Sequence, residues 1–257
     1  MHQLIVPSRF RGPASSGNGG WTAGALAALV DHDVPADHAA RWPTVGVSLL
    51  KPPPLDTPLE VTDDGTVTVA ALAGDAIARA EVLDETPAAV DPVPADEARV
   101  AEASYPGLRQ HPFPTCFGCG TEREEGDGLR IFPGPVSTSA EERTRIAATW
   151  TPHTSLFEDW HAYHDDHPRV SLPVAWAALD CIGGWAGDLT DRMMVLARIT
   201  ARVFSLPLIG EPHVVVGEAR SAEGRKTFTT STLYDADGRA LAVAEHLWIT
   251  VDRSAFA

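Results

Sequence analysis

The residue that most invites chemistry is Asp180, set inside AWAALDCIGGW (residues 175–185). A carboxylate in so apolar a stretch is costly to bury without hydrogen-bond donors, and burial raises its pKa toward that of a general base. The plainer expectation is a buried polar group satisfied by neighbouring backbone. Cys116 and Cys119 have CxxC spacing, half of a zinc site, with His111, His153 or Cys181 as possible completions. A thioredoxin-like role would need the pair to open a helix after a strand, which this context does not offer. The simplest expectation is a reduced, buried turn. The segment 158–167, EDWHAYHDDH, carries His161, His164 and His167 with three Asp and a Glu. It reads as a metal-binding loop, a lid over the following helix, or plain surface. His153 and His246 stand alone and read as structural.

The background bounds these options. The chain has 257 residues, enough for one large domain or two small ones. Its formal net charge of -15 disfavours nucleic acid and anionic membranes as partners. No apolar run approaches the roughly 18–20 residues of a membrane span. The opening MHQLIVPSRFRGP lacks a signal-peptide core, which predicts a cytoplasmic protein. Three cysteines, an odd number, do not make a disulfide framework.

The elements that must position these residues form a pattern that occurs twice. A small-residue helix over 19–30 precedes a strand, a Pro-Leu break and a second strand over 45–61. A second helix over 173–187 precedes the same sequence of elements over 199–216. From Asn18 to Pro54 is 36 positions, and Ser171 to Pro207 repeats that spacing. Each copy ends in two strands joined by tight turns, marked by Asp63-Asp64-Gly65 and Ala73-Gly74-Asp75 in the first, and by Ala222-Glu223-Gly224 and Asp235-Ala236-Asp237-Gly238 in the second. The Pro-, Ala- and acid-rich stretch 84–114 reads as an exposed connection with a short helix at 95–103. The second copy adds strands near 128–132 and 145–150. A lone sheet around one helix leaves an edge and an apolar face exposed, and two units joined edge to edge remove both. The expected organisation is a first unit over 1–84, a linker over 85–114 and a second unit over 115–257.

One helix wrapped by an antiparallel sheet, used in pairs, resembles the hotdog fold. Cys116-Phe117-Gly118-Cys119-Gly120, continuing to Gly128-Leu129-Arg130-Ile131, resembles the CFxCG…GLxL opening of acyl-CoA thioesterase-like hotdog proteins. The Asn-Pro usual between these parts is replaced by Glu124-Glu125-Gly126-Asp127. Asn18-Gly19-Gly20 resembles the HGG that opens the hotdog helix, with Asn18 in the His place. The resemblance implies an α+β double hotdog, with two antiparallel sheets each wrapped around a central helix and joined edge to edge. It also implies a helix-start N–H on a thioester carbonyl and an acid two turns on as base or nucleophile. Laid on HGGxxxxxxD, the first helix keeps the glycines but has Ala27 at the acid position. The second opens on Ser171-Leu172-Pro173 and keeps Asp180. The resemblance therefore implies one composite site with Gly20 and Asp180 catalytic and Asn18, Gly19, Trp21, Ser171 and Trp176 around the substrate, and a dead mirror site at Ser171 and Ala27.

The activity so implied is hydrolysis of an acyl thioester on coenzyme A or an acyl carrier protein. Two alternatives stand beside it: a non-catalytic binder of a fatty acyl or other apolar molecule, and a hydratase or dehydratase, which usually needs an Asp–His pair that neither helix opening supplies. No metal or organic cofactor is assigned. The tandem is expected to act as an internal pseudo-dimer, with further pairing into a homodimer open. Trp21, Trp176 and Trp185 lie on the two helices and are expected in the core, with Trp21 also a candidate tunnel wall. Coenzyme A is highly anionic, and Arg198, Arg202, Arg220, Arg225 and Lys226 are the candidates for a local basic patch.

Overall fold

The computed structural model describes residues 2–30, 42–156 and 167–252. Eleven strands form one sheet: β1 (His2–Leu4), β2 (Thr44–Leu49), β3 (Leu59–Asp63), β4 (Val67–Leu72), β5 (Asp75–Leu83), β6 (Gly134–Pro135), β7 (Arg145–Trp150), β8 (Met194–Val203), β9 (His213–Glu223), β10 (Lys226–Tyr234) and β11 (Ala240–Thr250). Among the described residues three α-helices accompany it: α1 (Gly19–Ala27), α2 (Ala95–Ala101) and α3 (Leu172–Ala186). The strand order is β1-β3-β4-β5-β2-β8-β11-β10-β9-β7-β6. It reads outward from the centre in matching fashion, β2-β5-β4-β3 on one side and β8-β11-β10-β9 on the other. The two halves meet where β2 runs antiparallel to β8 over four residue pairs, from Val45 with Ala201 to Ser48 with Arg198.

Turn chemistry sets the hairpins. Asp64 accepts the N–H groups of Thr66 and Val67 through Oδ1, while Gly65 takes a left-handed φ of 85° to close β3 onto β4. Asp235 accepts from Asp237 and Arg239 in the same way between β10 and β11.

Every residue of α3 except Pro173 is buried. A helix apolar on all sides has to be enclosed. Strands β7 to β11 pack against α3, while β2, β5 and β8 pack against α1. The helices also pack on each other and run antiparallel, with Gly20 against Ala177 and Asp180 and Gly24 against Pro173.

Two expectations need correction. The stretch 84–114 is not an exposed connection. Val90, Val93, Ala98, Ala101 and Tyr105 are buried, and the first three cover Ala147, Val214, Val216 and Tyr234 on the outer face of the second half. The Val90 N–H donates to Thr232 Oγ1, and the Tyr234 hydroxyl donates to the Val90 carbonyl. A Pro- and Ala-rich composition suggested solvation, yet its few apolar residues suffice to cap a sheet face. Residues 128–132 form no sheet strand. Their backbone instead bonds the cysteine loop, Leu129 N–H to Phe117 and Ile131 N–H to Gly118. The short helix is as expected, with a 3₁₀ turn at Glu102–Ser104 completing it. The segment 158–167 lies outside the described residues except for His167.

His246 on β11 is buried behind α3, its Nδ1 3.2 Å from Thr229 Oγ1. Burial pushes its pKa down to about 4. Between its ordinary value near 6.5 and 4, the unfolded chain takes up a proton that the folded chain refuses, so stability falls with acidification through that window. Urea unfolding should lose about 3 kcal/mol from pH 7 to pH 4 relative to a His246→Gln variant over the same range.

Candidate functional site

Asn18 ends an extended segment and caps α1, its Oδ1 accepting the Trp21 N–H at 2.8 Å. That contact fixes the amide so that Nδ2 points away from the helix, toward α3. There it donates to Asp180 Oδ2 at 3.0 Å. The Gly20 N–H donates to the same oxygen at 2.8 Å. Glycine is required at this crossing: a Cβ on Gly20 would stand 2.4 Å from Asp180 Cβ and 2.7 Å from the Trp176 carbonyl oxygen. Asp180 is thus held by two donors from the other helix.

Asp180 is 3% exposed and its Oδ1 has no hydrogen-bond partner. Burial raises its pKa to about 7, against the opposing bonds from Gly20 and Asn18. The carboxylate lies in the wall of a cavity of about 250 Å³, with Asn18, Gly19, Cys116, Cys119 and Cys181 beside it. Leu49, Leu189, Met194, Leu196, Trp248 and Ile249 supply an apolar lining. The Lys51-Pro52-Pro53 segment after β2 adds another side, pinned to the α1 entry by the Gly17 N–H on the Pro53 carbonyl at 2.9 Å. Proline cannot continue a ladder, which is why the chain leaves the sheet there. Sequence reasoning did not find these lining residues. Only the run of three prolines after Lys51 signalled that something other than strand follows β2.

The three cysteines meet at one side of this cavity. Cys181, on α3, is the completion that approaches the CxxC pair, and the three sulfurs lie within 4.8 Å of one another. His111 is engaged elsewhere, its Nδ1 accepting the Phe113 N–H and its Nε2 3.1 Å from the Cys119 carbonyl oxygen. His153 accepts the Ser155 N–H. Hydrogen bonds from the Cys119 and Cys181 thiols hold Cys116 well below the usual thiol range.

Other expected site residues are dispersed. Trp21 stacks on Phe10 with ring centroids 4.3 Å apart and is not among the residues that line this cavity. Trp176 is fully buried against Gly24 at the helix crossing and serves as core. Ser171 caps α3 without a side-chain bond, and its buried hydroxyl has no partner. It too lies outside the cavity wall. Of the residues expected in a basic patch, Arg225 and Lys226 lie together with Glu223 and Ile249 at a separate surface hollow, and the arginines are individually engaged. Arg198 pairs with Glu81, Arg220 with Glu218, Arg202 bonds Thr86 and Arg225 bonds the Thr250 carbonyl. Lys51 is the one Lys or Arg among the described lining residues, and it pairs with Asp75 at 2.9 Å.

No protein-family model matches the sequence, and no characterised protein is similar enough in sequence to be matched. Solved structures do match. A conserved protein of unknown function with hot dog fold from Alicyclobacillus acidocaldarius aligns with a TM-score of 0.60 at 14% identity, over 97% of this chain and 92% of that one. A tesB protein from Mycobacterium avium subs paratuberculosis aligns with a TM-score of 0.57 at 13% identity, over 93% and 89%. An acyl-CoA thioesterase II from Mycobacterium marinum aligns with a TM-score of 0.52 at 12% identity, over 81% and 79%. The chain is therefore a double hotdog protein. No described helix is long and apolar enough to cross a membrane.

A methyl group added at Gly20 would press on the Asp180 side chain and on the α3 backbone at Trp176 and Ala177. Gly20→Ala should destabilise the fold by roughly 1–3 kcal/mol in denaturant unfolding.

Proposed function

We propose that this protein hydrolyses an acyl thioester in the cavity beside Asp180. The observation that carries the reading is the carboxylate itself: a buried residue of the cavity wall, anchored through one oxygen by the opposite helix and with its other oxygen left without a partner. Burying a carboxylate in this way costs stability, and a site for chemistry explains why it is kept. The acyl group would occupy the apolar lining. Asp180 Oδ1 would take a proton from water as that water attacks the thioester carbonyl, and would return it to the departing thiolate. The two units, 1–84 and 115–257 with their linker, act here as one composite site, since α1 supplies the anchors and α3 the acid.

The oxyanion donor needs reassignment. The Gly20 N–H is committed to Asp180, so it does not face a carbonyl. Gly19, one residue earlier at the first helical position, borders the cavity, and first-turn amides have no partner within their own helix. Its N–H is the donor we assign. The same commitment of Gly20 favours one second reading, a binder of acyl groups that has lost turnover.

The lining suits an acyl group better than the phosphates of coenzyme A, which would rest on contacts other than a basic patch. The test is thiol release from acyl-CoA and acyl-carrier-protein thioesters of graded chain length. Wild type should turn over at least one class, and Asp180→Asn should lose roughly 10²–10⁴-fold in rate while unfolding cooperatively. Absence of turnover on every thioester, with a fatty acyl ligand found by native mass spectrometry, would replace the hydrolase with the binder.

A further inference from the structure

The hydrolase reading uses none of the three cysteines, yet the fold brings them together with care. Cys116 and Cys119 sit on a tight loop closed by Cys116 N–H on the Phe113 carbonyl and Gly120 N–H on the Cys116 carbonyl, each at 2.9 Å. Two glycines permit the arrangement. A Cβ on Gly120 would stand 2.5 Å from the Cys116 and Pro114 carbonyl oxygens, and one on Gly118 would stand 2.7 Å from Cys181 Sγ. The loop is therefore shaped to admit the Cys181 sulfur from α3. Cys116 and Cys181 have their sulfurs 3.5 Å apart, and all three sulfurs fall within 4.8 Å. Thiolates bound at about 2.3 Å around a tetrahedral zinc ion lie about 3.8 Å from one another. The observed spacing, from 3.5 Å to no more than 4.8 Å, brackets that of three corners of such a tetrahedron.

All three cysteines are buried and free of disulfide bonds. Asn18 Nδ2 lies 3.7 Å from both the Cys116 and Cys181 sulfurs. Three soft sulfur ligands that converge in one cavity wall suit a thiophilic divalent cation, which displaces the thiol protons on binding.

We infer that Cys116, Cys119 and Cys181 form a site for one thiophilic divalent cation of the zinc class, with its fourth coordination position open to the cavity. Binding forms three metal–sulfur bonds and releases the thiol protons to solvent. His111 is not the fourth ligand, since both its ring nitrogens are engaged with the loop backbone. Three protein ligands and an open position are the arrangement of a reactive rather than a purely structural zinc site. The inference does not depend on thioester hydrolysis. A binder with the same cavity would hold the same ion.

The test uses the untagged full chain, purified under reducing conditions, stripped with chelator and reloaded with zinc or cobalt. One ion per chain is expected by elemental analysis, and the cobalt form should show sulfur-to-cobalt charge transfer and tetrahedral d–d bands. Cys119→Ser and Cys181→Ser should lose both the ion and the charge-transfer band. A triple variant of His161, His164 and His167 should keep them, which separates this site from the His-rich segment. A wild-type cobalt spectrum without sulfur charge transfer would overturn the assignment, even if a serine variant failed to fold. So would an ion that survives both cysteine substitutions, or reloaded wild type that holds none.

Discussion

The structure turns on one buried contact, the Asp180 carboxylate held by the Gly20 N–H and the Asn18 amide across the two central helices. It exists because Gly20 has no side chain. Any Cβ there would meet Asp180 and the Trp176 carbonyl, so the closest approach of α1 to α3 and the anchoring of the acid are the same constraint. Asn18 reinforces it by serving both helices at once, capping α1 with one end of its amide and reaching α3 with the other. Removing either donor would leave a buried carboxylate under-satisfied, where the penalty is greatest.

The rest of the fold supports that contact. The β2–β8 pairing makes one sheet of the two halves and sets α1 beside α3. The prolines after β2 and the loop of Cys116 and Cys119 both contribute to the cavity wall. The linker over 84–114 caps the outer face of the second half, so that strands β7, β9 and β10 are covered on both sides.

Much of this was legible in the sequence. The equal 36-residue spacing and the Asp-Gly turns fixed the order of elements, because helix starts and hairpins depend on local chemistry that residues announce. The pairing of Gly20 with Asp180 also followed from their positions on two related helices. The failures share a cause: they concern which partner a group finds, not which element it joins. The Gly20 amide looked available to a ligand, but its partner is Asp180. Trp21 looked like a cavity wall, but Phe10 covers it. The arginines of the second half looked like a patch, but each found its own acceptor. Residues 128–132 have strand composition, yet the cysteine loop claimed their N–H groups before a sheet edge did.

The most direct test of the account is a crystal structure of the wild-type chain with a non-hydrolysable acyl-thioester analogue. The account predicts the acyl chain along Leu49, Met194 and Leu196, the carbonyl oxygen toward the Gly19 N–H, and the carbonyl carbon one water away from Asp180 Oδ1. An analogue bound away from Asp180, or one that leaves this cavity filled only by solvent, would contradict it.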